Sequence, residues 1–363
     1  MKLEVEYMVN VLADVLKPII DNGSAEILNL DLTQELGFTI EKIIFDEETR
    51  NITIIAPDRP EKSAVIGKGG WVVGRLREVL EVKSIHIDAY SDMMVRIYRM
   101  ELALKKINYS SSLIKGNISG IENLKNLLNL RINDLAKFKY FTEFNKELEN
   151  LKSEEPLKKL EMDGDHNAIV ALSGGVDSSF SLIIAKILGF NPVAVTVDPG
   201  NIILPSYFKK NVESLTKNLN VSHEYIDVDM DEVVAESLEG RIHPCGKCSK
   251  IIENSLLEFA KNSKIPFIIF GDFLATGSQS LLYLDGFWRI NLPAMLATTK
   301  GETSSLSAYF DIGSVGGYGC PLINEVHKLH PHMRRFSMQR ILRETRAGVL
   351  EPGQALKLIT RTL

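Results

Sequence analysis

A short apolar stretch runs into a glycine-rich turn and then into a helical pattern near the middle of the chain. Residues 167–172 are apolar after an initial asparagine, the sequence SGGVDSS occupies positions 173–179, and helical spacing continues to residue 188. Two consecutive glycines let the backbone turn tightly and approach a ligand without interference from a Cβ. The start of the following helix offers unpaired N–H groups and a partial positive charge. The sequence therefore predicts an anion site, most simply for phosphate or pyrophosphate.

The spacing of these glycines separates the site from two common nucleotide-binding motifs. The turn is neither G-x-x-x-x-G-K-[ST] nor G-x-G-x-x-G, which disfavours a P-loop NTPase and a dinucleotide-binding protein. Around it, apolar strands are predicted over residues 167–172, 192–197, 223–228 and 266–270, with helical patterns between them. Strands that alternate with helices predict an α/β fold with a doubly wound parallel sheet.

The string at 171–179 resembles the S-G-G-x-D-S signature of the PP-loop ATP pyrophosphatase superfamily. The resemblance implies an adenine-nucleotide alpha hydrolase-like fold that cleaves ATP to AMP and pyrophosphate while it adenylates a carbonyl-type oxygen. It also implies that Asp177 and Asp272 are catalytic and that Asp177 helps hold Mg²⁺, a hard cation suited to carboxylate and phosphate oxygens. The ATP-binding residues that it implies are Ser173, Gly174, Gly175, Asp177, Ser178, Ser179, Asp198 and Gly271.

Asp272 follows the predicted strand at 266–270, in a segment that is similar to one in 4-thiouridine synthetases. That segment runs G-[DE]-x-L and then S-Q, and residues 271–280 depart from the G-H-x-x-D-D pattern of the 2-thio enzymes. Open α/β sheets bind ligands at the carboxyl ends of their strands, where Asp272 is expected. The alternative role for Asp272 is an N-cap of the next helix.

The chain has three cysteines, Cys245, Cys248 and Cys320. A sparse, odd number of cysteines argues against a disulfide framework and for metal or redox chemistry. The C-x-x-C spacing at a predicted helix start places two sulfurs on one side of the helix. By itself this pattern is compatible with zinc, a redox pair or an iron–sulfur cluster, and His243 is an awkward candidate for a fourth zinc ligand.

Together with the PP-loop signature, the cysteine pattern resembles that of tRNA thiolation enzymes of the 2-thiouridine, 2-thiocytidine and 4-thiouridine groups. In the 2-thiouridine and 2-thiocytidine enzymes, and in some archaeal 4-thiouridine synthetases, C-x-x-C and one later cysteine hold an iron–sulfur cluster. The resemblance implies that Cys245, Cys248 and Cys320 bind a [4Fe–4S] cluster, with one iron open to the sulfur that is transferred. A persulfide on one cysteine, resolved by a disulfide with another, is the competing interpretation.

A second glycine-rich turn, Gly67-Lys68-Gly69-Gly70, lies between two helical segments in the first third of the chain. Strands predicted at 40–44 and 51–55 form a hairpin before it, and a helix at 71–80 and a strand at 82–88 follow. This order resembles a type II KH domain, whose G-x-x-G turn clamps about four nucleotides. The alternative is a tight helix–helix turn. The residues expected to contact RNA are Gly67, Lys68, Gly69, Gly70 and Arg75.

The motifs, a polar run at 152–165 and the change to alternating strands and helices divide the chain into four predicted segments. They are a KH-like RNA-binding domain at 1–105, a helical connector at 106–165, a PP-loop ATPase domain with the three cysteines at 166–322, and a basic helical tail at 323–363. Because the whole chain carries a formal charge of −5, RNA binding needs a local basic surface such as the tail. The charged N-terminus and the lack of a long apolar run predict a cytoplasmic protein without a membrane partner.

These features predict an ATP-dependent tRNA sulfurtransferase that adenylates a pyrimidine carbonyl oxygen and replaces it with sulfur. The expected cofactors are ATP, Mg²⁺ and a [4Fe–4S] cluster. The expected partners are tRNA and a sulfur donor, either sulfide or a persulfide carrier, and a homodimer is left open. The alternative is a PP-loop RNA-modifying ligase that installs nitrogen, with the cysteines binding zinc. The intact sequence at 173–178 disfavours a non-enzymatic RNA-binding protein.

Overall fold

The computed structural model describes residues 2–23, 25–111, 113–114, 118–138, 141, 144–153, 166–313 and 319–363. The chain divides into two compact units, Met1–Ile97 and Tyr98–Leu363. The predicted start of the ATPase domain at 166 follows residues 154–165, which lie outside the described residues.

The first unit contains a four-stranded sheet and three helices before the long helix that ends it. Its strands run in the order β1-β2-β3-β4, with β3 and β4 parallel and the other neighbours antiparallel. The predicted hairpin, two helices and final strand are confirmed, in the predicted order. The elements are α1 (Lys2–Asp21), β1 (Ala25–Leu32), β2 (Phe38–Asp46), β3 (Asn51–Ala56), α2 (Arg59–Ile66), a 3₁₀ turn (Lys68–Gly70), α3 (Trp71–Leu80) and β4 (Ser84–Ala89).

The edge strand β1 was not predicted from the sequence. Its residues include Glu26, Asp31 and Asn29, and Asn29 has a φ of +52°. Such residues have low strand propensity, so the pairing with β2 determines this strand.

The second unit begins with three helices that account for the described part of the predicted connector. They are α4 (Tyr90–Ser110, which starts in the first unit), α5 (Ile118–Asn133) and α6 (Asn145–Ser153). The guanidinium of Arg131 in α5 lies 3.1 Å from the carboxylate of Glu302, and both side chains are fully buried. Arg131 also lies over the ring of Phe141, 4.6 Å from its centroid. The connector therefore packs onto the domain that follows it.

A six-stranded sheet forms the centre of the second unit. Its order is β7-β6-β5-β8-β10-β9, and all neighbours are parallel except β9 and β10. The predicted α/β fold with a parallel sheet is confirmed; β9 and β10 were not predicted. The elements are β5 (Ala168–Ala171), α7 (Val176–Ile187), β6 (Pro192–Asp198), α8 (Ser206–Asn218), β7 (Ser222–Asp227), α9 (Asp231–Leu238), α10 (Pro244–Ser263), β8 (Phe267–Phe270), β9 (Leu281–Leu284), β10 (Phe287–Asn291), α11 (Leu292–Met295) and α12 (Lys300–Ala308).

The strand order places a topological switch point at β5. From β5 the chain moves to β6 and β7 on one side, and it then returns to β8 and β10 on the other. Open α/β sheets bind ligands outside the carboxyl ends of the strands at such a point. The turns that follow β5 and β8 are therefore the expected edges of a ligand site.

Three helices complete the second unit: α13 (Pro321–Leu329), α14 (Arg334–Arg346) and α15 (Pro352–Thr362). The tail predicted at 323–363 is thus helical, and α14 and α15 pack together through a buried apolar cluster of Ile341, Leu350 and Ala355. None of the described helices combines the length and apolar character that crossing a membrane requires.

Candidate nucleotide and thiol site

Two glycines, one in the turn after β5 and one in the turn after β8, are required because neighbouring backbone lies close to each: the backbone of α8 beside Gly174 and the start of α7 beside Gly271. Gly174 has a φ of +72°, and a Cβ there would lie 2.2 Å from the carbonyl oxygen of Phe208. A Cβ on Gly271 would lie 2.8 Å from the backbone nitrogen of Ser178. Gly175, which precedes the first residue of α7, would accept a Cβ at an ordinary 3.5 Å from the Ser173 hydroxyl. Only glycine therefore fits at positions 174 and 271, whereas position 175 has room for a side chain.

The serines of the turn have two different placements. The Ser178 hydroxyl accepts a hydrogen bond from the backbone N–H of Ser173 at 3.1 Å and donates to the Gly175 carbonyl at 3.0 Å. The Ser173 hydroxyl lies 3.1 Å from that of Ser178. Ser179 is fully buried, and its hydroxyl has no hydrogen-bond partner among the described residues. Ser173 and Ser178 thus fix the shape of the turn, whereas Ser179 lies within the core.

Asp177, in the first turn of α7, has a cationic partner that was not predicted. Its carboxylate forms an ion pair with Lys300 and lies 3.4 Å from the hydroxyl of Thr303. Lys300 is the first residue of α12, which is capped by Thr299 and Glu302 in a reciprocal capping box. The T-x-x-E spacing at 299–302 is a sequence signal for a helix start and could have identified this position.

The other two predicted carboxylates are also held in place. Asp272 follows β8, accepts a hydrogen bond from the N–H of Leu274 at 3.0 Å and lies 3.8 Å from the guanidinium of Arg289. It therefore orders a turn, since no helix begins there. Asp198, the last residue of β6, forms a hydrogen-bonded ion pair with Lys209. The hydrogen bond that Lys209 donates to Asp198 raises the pKa of the Lys209 ammonium.

Two cavities border the glycine turn. The larger, about 800 Å³, is called the thiol cavity because it is also lined by Cys245. The smaller, about 670 Å³, is called the strand-end cavity because it is also lined by Gly271 and Asp272. The residues that line both are Ser173, Gly175, Asp177, Phe336 and Arg340. The turn thus separates two spaces, and Asp198 and Ser179 are not among the lining residues of either.

The structure brings the three cysteines into one neighbourhood. Cys245 and Cys248 are the second and fifth residues of α10, one helical turn apart, and Cys320 immediately precedes α13. All three are free thiols and partly buried. Burial raises the pKa of the Cys248 thiol to about 11, with added contributions from the nearby thiols of Cys320 and Cys245. Burial also raises the pKa values of Cys245 and Cys320, while the positive charge of Arg340 acts in the opposite direction on Cys245.

The donor chemistry of this neighbourhood fits an iron–sulfur cluster. Three soft thiols are the ligand type that such clusters use, and each thiolate of a four-iron cluster binds a different iron. In addition, the Nε2 atom of His243 is buried without a hydrogen-bond partner in the described structure, and His243 lines the thiol cavity. Among the described residues, no group of three or more His, Cys, Asp or Glu side chains is arranged to hold a metal ion. The cluster accordingly stays a prediction.

The Gly67–Gly70 turn in the first unit presents an exposed cation and an exposed aromatic ring. The side chain of Lys68 is exposed, and Trp71 at the start of α3 is 73% exposed. A Cβ on Gly67 would lie 2.4 Å from Val72, so the turn itself requires this glycine. Arg75 is paired with Glu78 at 2.9 Å. RNA contact by Gly67, Lys68, Gly69, Gly70 and Arg75 stays a prediction, and Trp71 is an addition that sequence reasoning missed.

No protein-family profile matches the chain. In solved structures it is similar to the U34-tRNA thiolase NcsA from Methanococcus maripaludis with its [4Fe–4S] cluster, at 17% identity and a TM-score of 0.34, covering 58% of this chain and 80% of that one. It is similar to an NMN synthetase from Francisella tularensis at 18% identity and a TM-score of 0.34, covering 61% and 91%.

Curated relatives also align with the sequence itself, among them the following two. One is the tRNA-specific 2-thiouridylase MnmA of Prochlorococcus marinus, 32% identical over 124 residues, which are 30% of this chain and 30% of that protein. The other is Uncharacterized protein MJ1638 of Methanocaldococcus jannaschii, 38% identical over 216 residues, which are 60% of this chain and 82% of that protein. With most of the second relative aligned at this identity, the chain belongs to the same family as MJ1638.

Proposed function

We propose that the protein is an ATP-dependent tRNA sulfurtransferase that adenylates a pyrimidine carbonyl oxygen and replaces it with sulfur. The observation that carries the proposal is the shared cavity, because Cys245 and the glycine turn at Ser173–Asp177 border the same space of about 800 Å³. A reaction that joins ATP cleavage to sulfur transfer needs its nucleotide site and its sulfur site within reach of one substrate atom. The aligned stretch of a tRNA 2-thiouridylase supports the same assignment.

The nucleotide would bind at the turn through the N–H groups that begin α7, since a helix N-terminus stabilises phosphate. Asp177 would hold Mg²⁺, which supplies positive charge to the phosphates when bound. Lys300 lies at the same carboxylate and would bind a phosphate oxygen. Asp272 would be the second catalytic carboxylate, at the strand-end cavity. The RNA carbonyl oxygen would attack the α-phosphorus with release of pyrophosphate, and sulfur would then displace AMP.

The three cysteines would hold a [4Fe–4S] cluster, which when bound provides a site for the sulfur supplied by sulfide or a persulfide carrier. Each of Cys245→Ala, Cys248→Ala and Cys320→Ala is expected to lose iron and acid-labile sulfide from anaerobically prepared protein. Ser255→Ala on α10, whose hydroxyl donates to the backbone of its own helix, is the control and is expected to keep both. Protein that contains zinc and no iron would contradict the cluster and favour the nitrogen-installing alternative.

RNA would be held by the KH-like domain at 1–105, through the Gly67–Gly70 turn and Arg75, and by the basic tail at 323–363. The connector at 106–165 would join this RNA-binding part to the ATPase domain at 166–322. In this arrangement the glycine turn after β5 serves ATP and the one before α3 serves RNA, so each can be disabled separately.

Pyrophosphate release in the presence of tRNA tests the proposed function. Asp177→Ala is expected to abolish release while tRNA affinity stays close to that of the unmodified protein. Glu258→Ala removes an exposed carboxylate on α10 that lines neither cavity and is expected to release pyrophosphate normally. Equal turnover in the Asp177→Ala variant would show that the glycine turn does not serve ATP cleavage.

A further inference from the structure

One face of the last helix, α15, forms a wall of the thiol cavity. Gln354, Lys357, Leu358 and Arg361 line the cavity at spacings of three and four residues. Residues at these spacings lie on one side of a helix. The side of α15 that carries both of its basic residues therefore faces the same space as Cys245 and the glycine turn.

The two basic residues of α15 add positive charge to the cavity that no carboxylate partner neutralises in the described structure. Neither Lys357 nor Arg361 has an ion-pair partner within the part of the chain that the structure describes. The other two cations of the cavity do have carboxylate partners. They are Lys300, which pairs with Asp177, and Arg340, which pairs with Glu344. The thiol cavity thus offers two cations for an anionic ligand.

The strand-end cavity differs in this respect. It is lined by as many carboxylates as guanidinium groups, with Asp177, Glu253 and Asp272 against Arg289, Arg340 and Arg343. Because the positive and negative charges are equal in number, this cavity has no excess positive charge to attract a polyanion in addition to ATP. An additional phosphate-bearing ligand would therefore bind in the thiol cavity and not here.

The thiol cavity also has aromatic walls. Tyr207, Phe208 and Phe336 line it, and the ring of His243 lies 5.1 Å from that of Phe336. Aromatic side chains stack with unpaired bases, and Lys and Arg hold the phosphates that link them. The volume of about 800 Å³ falls within the range of pockets that enclose small organic ligands. Aromatic walls, two uncompensated cations and this volume together match one nucleotide of an RNA strand.

We propose that Lys357 and Arg361 bind a backbone phosphate of the RNA substrate at the thiol cavity, so that one of its nucleotides enters towards Cys245. The inference rests on the proposed function, because it assumes that RNA is the substrate. It assigns to α15 a position-specific contact within the site, where the sequence predicted only a basic tail. Under the proposed function ATP would use other phosphate ligands, the N-terminus of α7 and Lys300.

The test is a double variant, Lys357→Ala with Arg361→Ala, in the 363-residue chain. Both side chains are exposed, so the fold is expected to persist. We expect tRNA affinity to fall about tenfold or more and the slope of log K against log salt to become shallower by about one unit, as for a lost phosphate contact. ATP affinity is expected to stay unchanged. A second double variant, Lys357→Arg with Arg361→Lys, swaps the two basic residue types and keeps both positive charges. It is expected to retain most of the tRNA affinity of the unmodified protein.

The matched control removes the same charge from the same unit. Lys217 and Lys261 are exposed on α8 and α10 and line neither cavity, so Lys217→Ala with Lys261→Ala is expected to bind tRNA normally. If the α15 variant binds and thiolates tRNA as the unmodified protein does, the inference is wrong and the proposed function stands. A loss of ATP affinity with unchanged tRNA affinity would place the nucleotide phosphates at α15 instead. If the unmodified protein neither binds nor modifies tRNA, both fail.

Discussion

The ammonium group of Lys300 forms an ion pair with the carboxylate of Asp177, joining the first turn of α12 to the first turn of α7. Both side chains are partly exposed, at 30% and 27%. Behind them, the fully buried pair of Arg131 and Glu302 fixes the start of α12 against the connector. The connector thus contacts the helix that carries Lys300 and supports the position of Lys300 beside the glycine turn.

Replacement of Lys300 separates a role in catalysis from one in stability. Partly exposed ion pairs contribute about 0–1 kcal/mol, so Lys300→Ala should leave the free energy of unfolding within that range. A lost charged hydrogen bond to phosphate costs about 1.5–3 kcal/mol, so tRNA-dependent pyrophosphate release should fall roughly 10- to 150-fold. Lys300→Arg, which keeps the charge, should recover part of the rate. Normal turnover in Lys300→Ala would remove this residue from the ATP site.

The two adjacent glycines of the turn should respond differently to one added methyl group. Gly174→Ala places a Cβ 2.2 Å from a backbone oxygen, and only a backbone shift can relieve that clash. We expect it to lower the free energy of unfolding by about 2 kcal/mol or more. Gly175→Ala meets only ordinary contact and should cost within about 1 kcal/mol, the price of alanine at a helix N-cap. Equal destabilisation in urea titrations would contradict the described turn.

The two tryptophans give a direct signal for RNA at the Gly67–Gly70 turn. Trp71 is 73% exposed beside this turn, whereas Trp288 is 3% exposed. A base that stacks on Trp71 should quench its fluorescence and protect it from acrylamide, since aromatic side chains stack with unpaired bases. In Trp71→Phe the remaining emission should not respond to tRNA. Saturating tRNA with no change in the emission of the unmodified protein would argue against RNA at this turn.

Acid stability should depend on His223 in β7. Burial lowers the pKa of His223 to about 4, so its neutral form is favoured in the folded protein. The Thr196 hydroxyl donates to the Leu172 carbonyl at 2.7 Å, which leaves Nε2 of His223 to donate to the Thr196 oxygen at 2.8 Å. Because the unfolded chain binds a proton at the ordinary pKa of about 6.5, stability is complete above that pH and is lost as the pH falls towards 4.

The expected loss between neutral pH and pH 5 is about 2 kcal/mol, from the difference between the two pKa values. His223→Gln keeps a donor for Thr196 and removes the titration, so the same pH change should cost this variant less by that amount. Chemical denaturation at several pH values measures both proteins. Parallel pH profiles would contradict the buried neutral imidazole.

Features encoded by neighbouring residues could be predicted from the sequence. The glycine turn after β5, the helix that follows it and the C-x-x-C pair at the start of α10 all depend on residues a few positions apart. The alternation of apolar strands with helices likewise gave the parallel sheet. These are signals that local propensity and spacing carry without tertiary context.

Features that depend on distant contacts could not be predicted in the same way. Strand β1 has mixed residues and exists because β2 pairs with it. The pairing of Lys300 with Asp177 joins positions that are 123 residues apart. The face of α15 that lines the thiol cavity looks, in sequence, like any solvated basic helix. In each case the fold brings together residues that are far apart in sequence. The residues next to each position therefore do not show what it will contact.

Mass spectrometry of the nucleosides in treated tRNA shows whether the protein thiolates RNA. Anaerobically prepared protein is incubated with unmodified tRNA, ATP, Mg²⁺ and sulfide, and the digested nucleosides are compared with reactions that lack ATP or use Asp177→Ala. We expect a pyrimidine nucleoside with the mass increase of an oxygen-to-sulfur exchange, formed only with ATP and the intact Asp177. Two results would contradict the proposed thiolation. One is a nucleoside in which nitrogen replaces oxygen. The other is the absence of any modified nucleoside when the protein carries its iron and binds both ATP and tRNA.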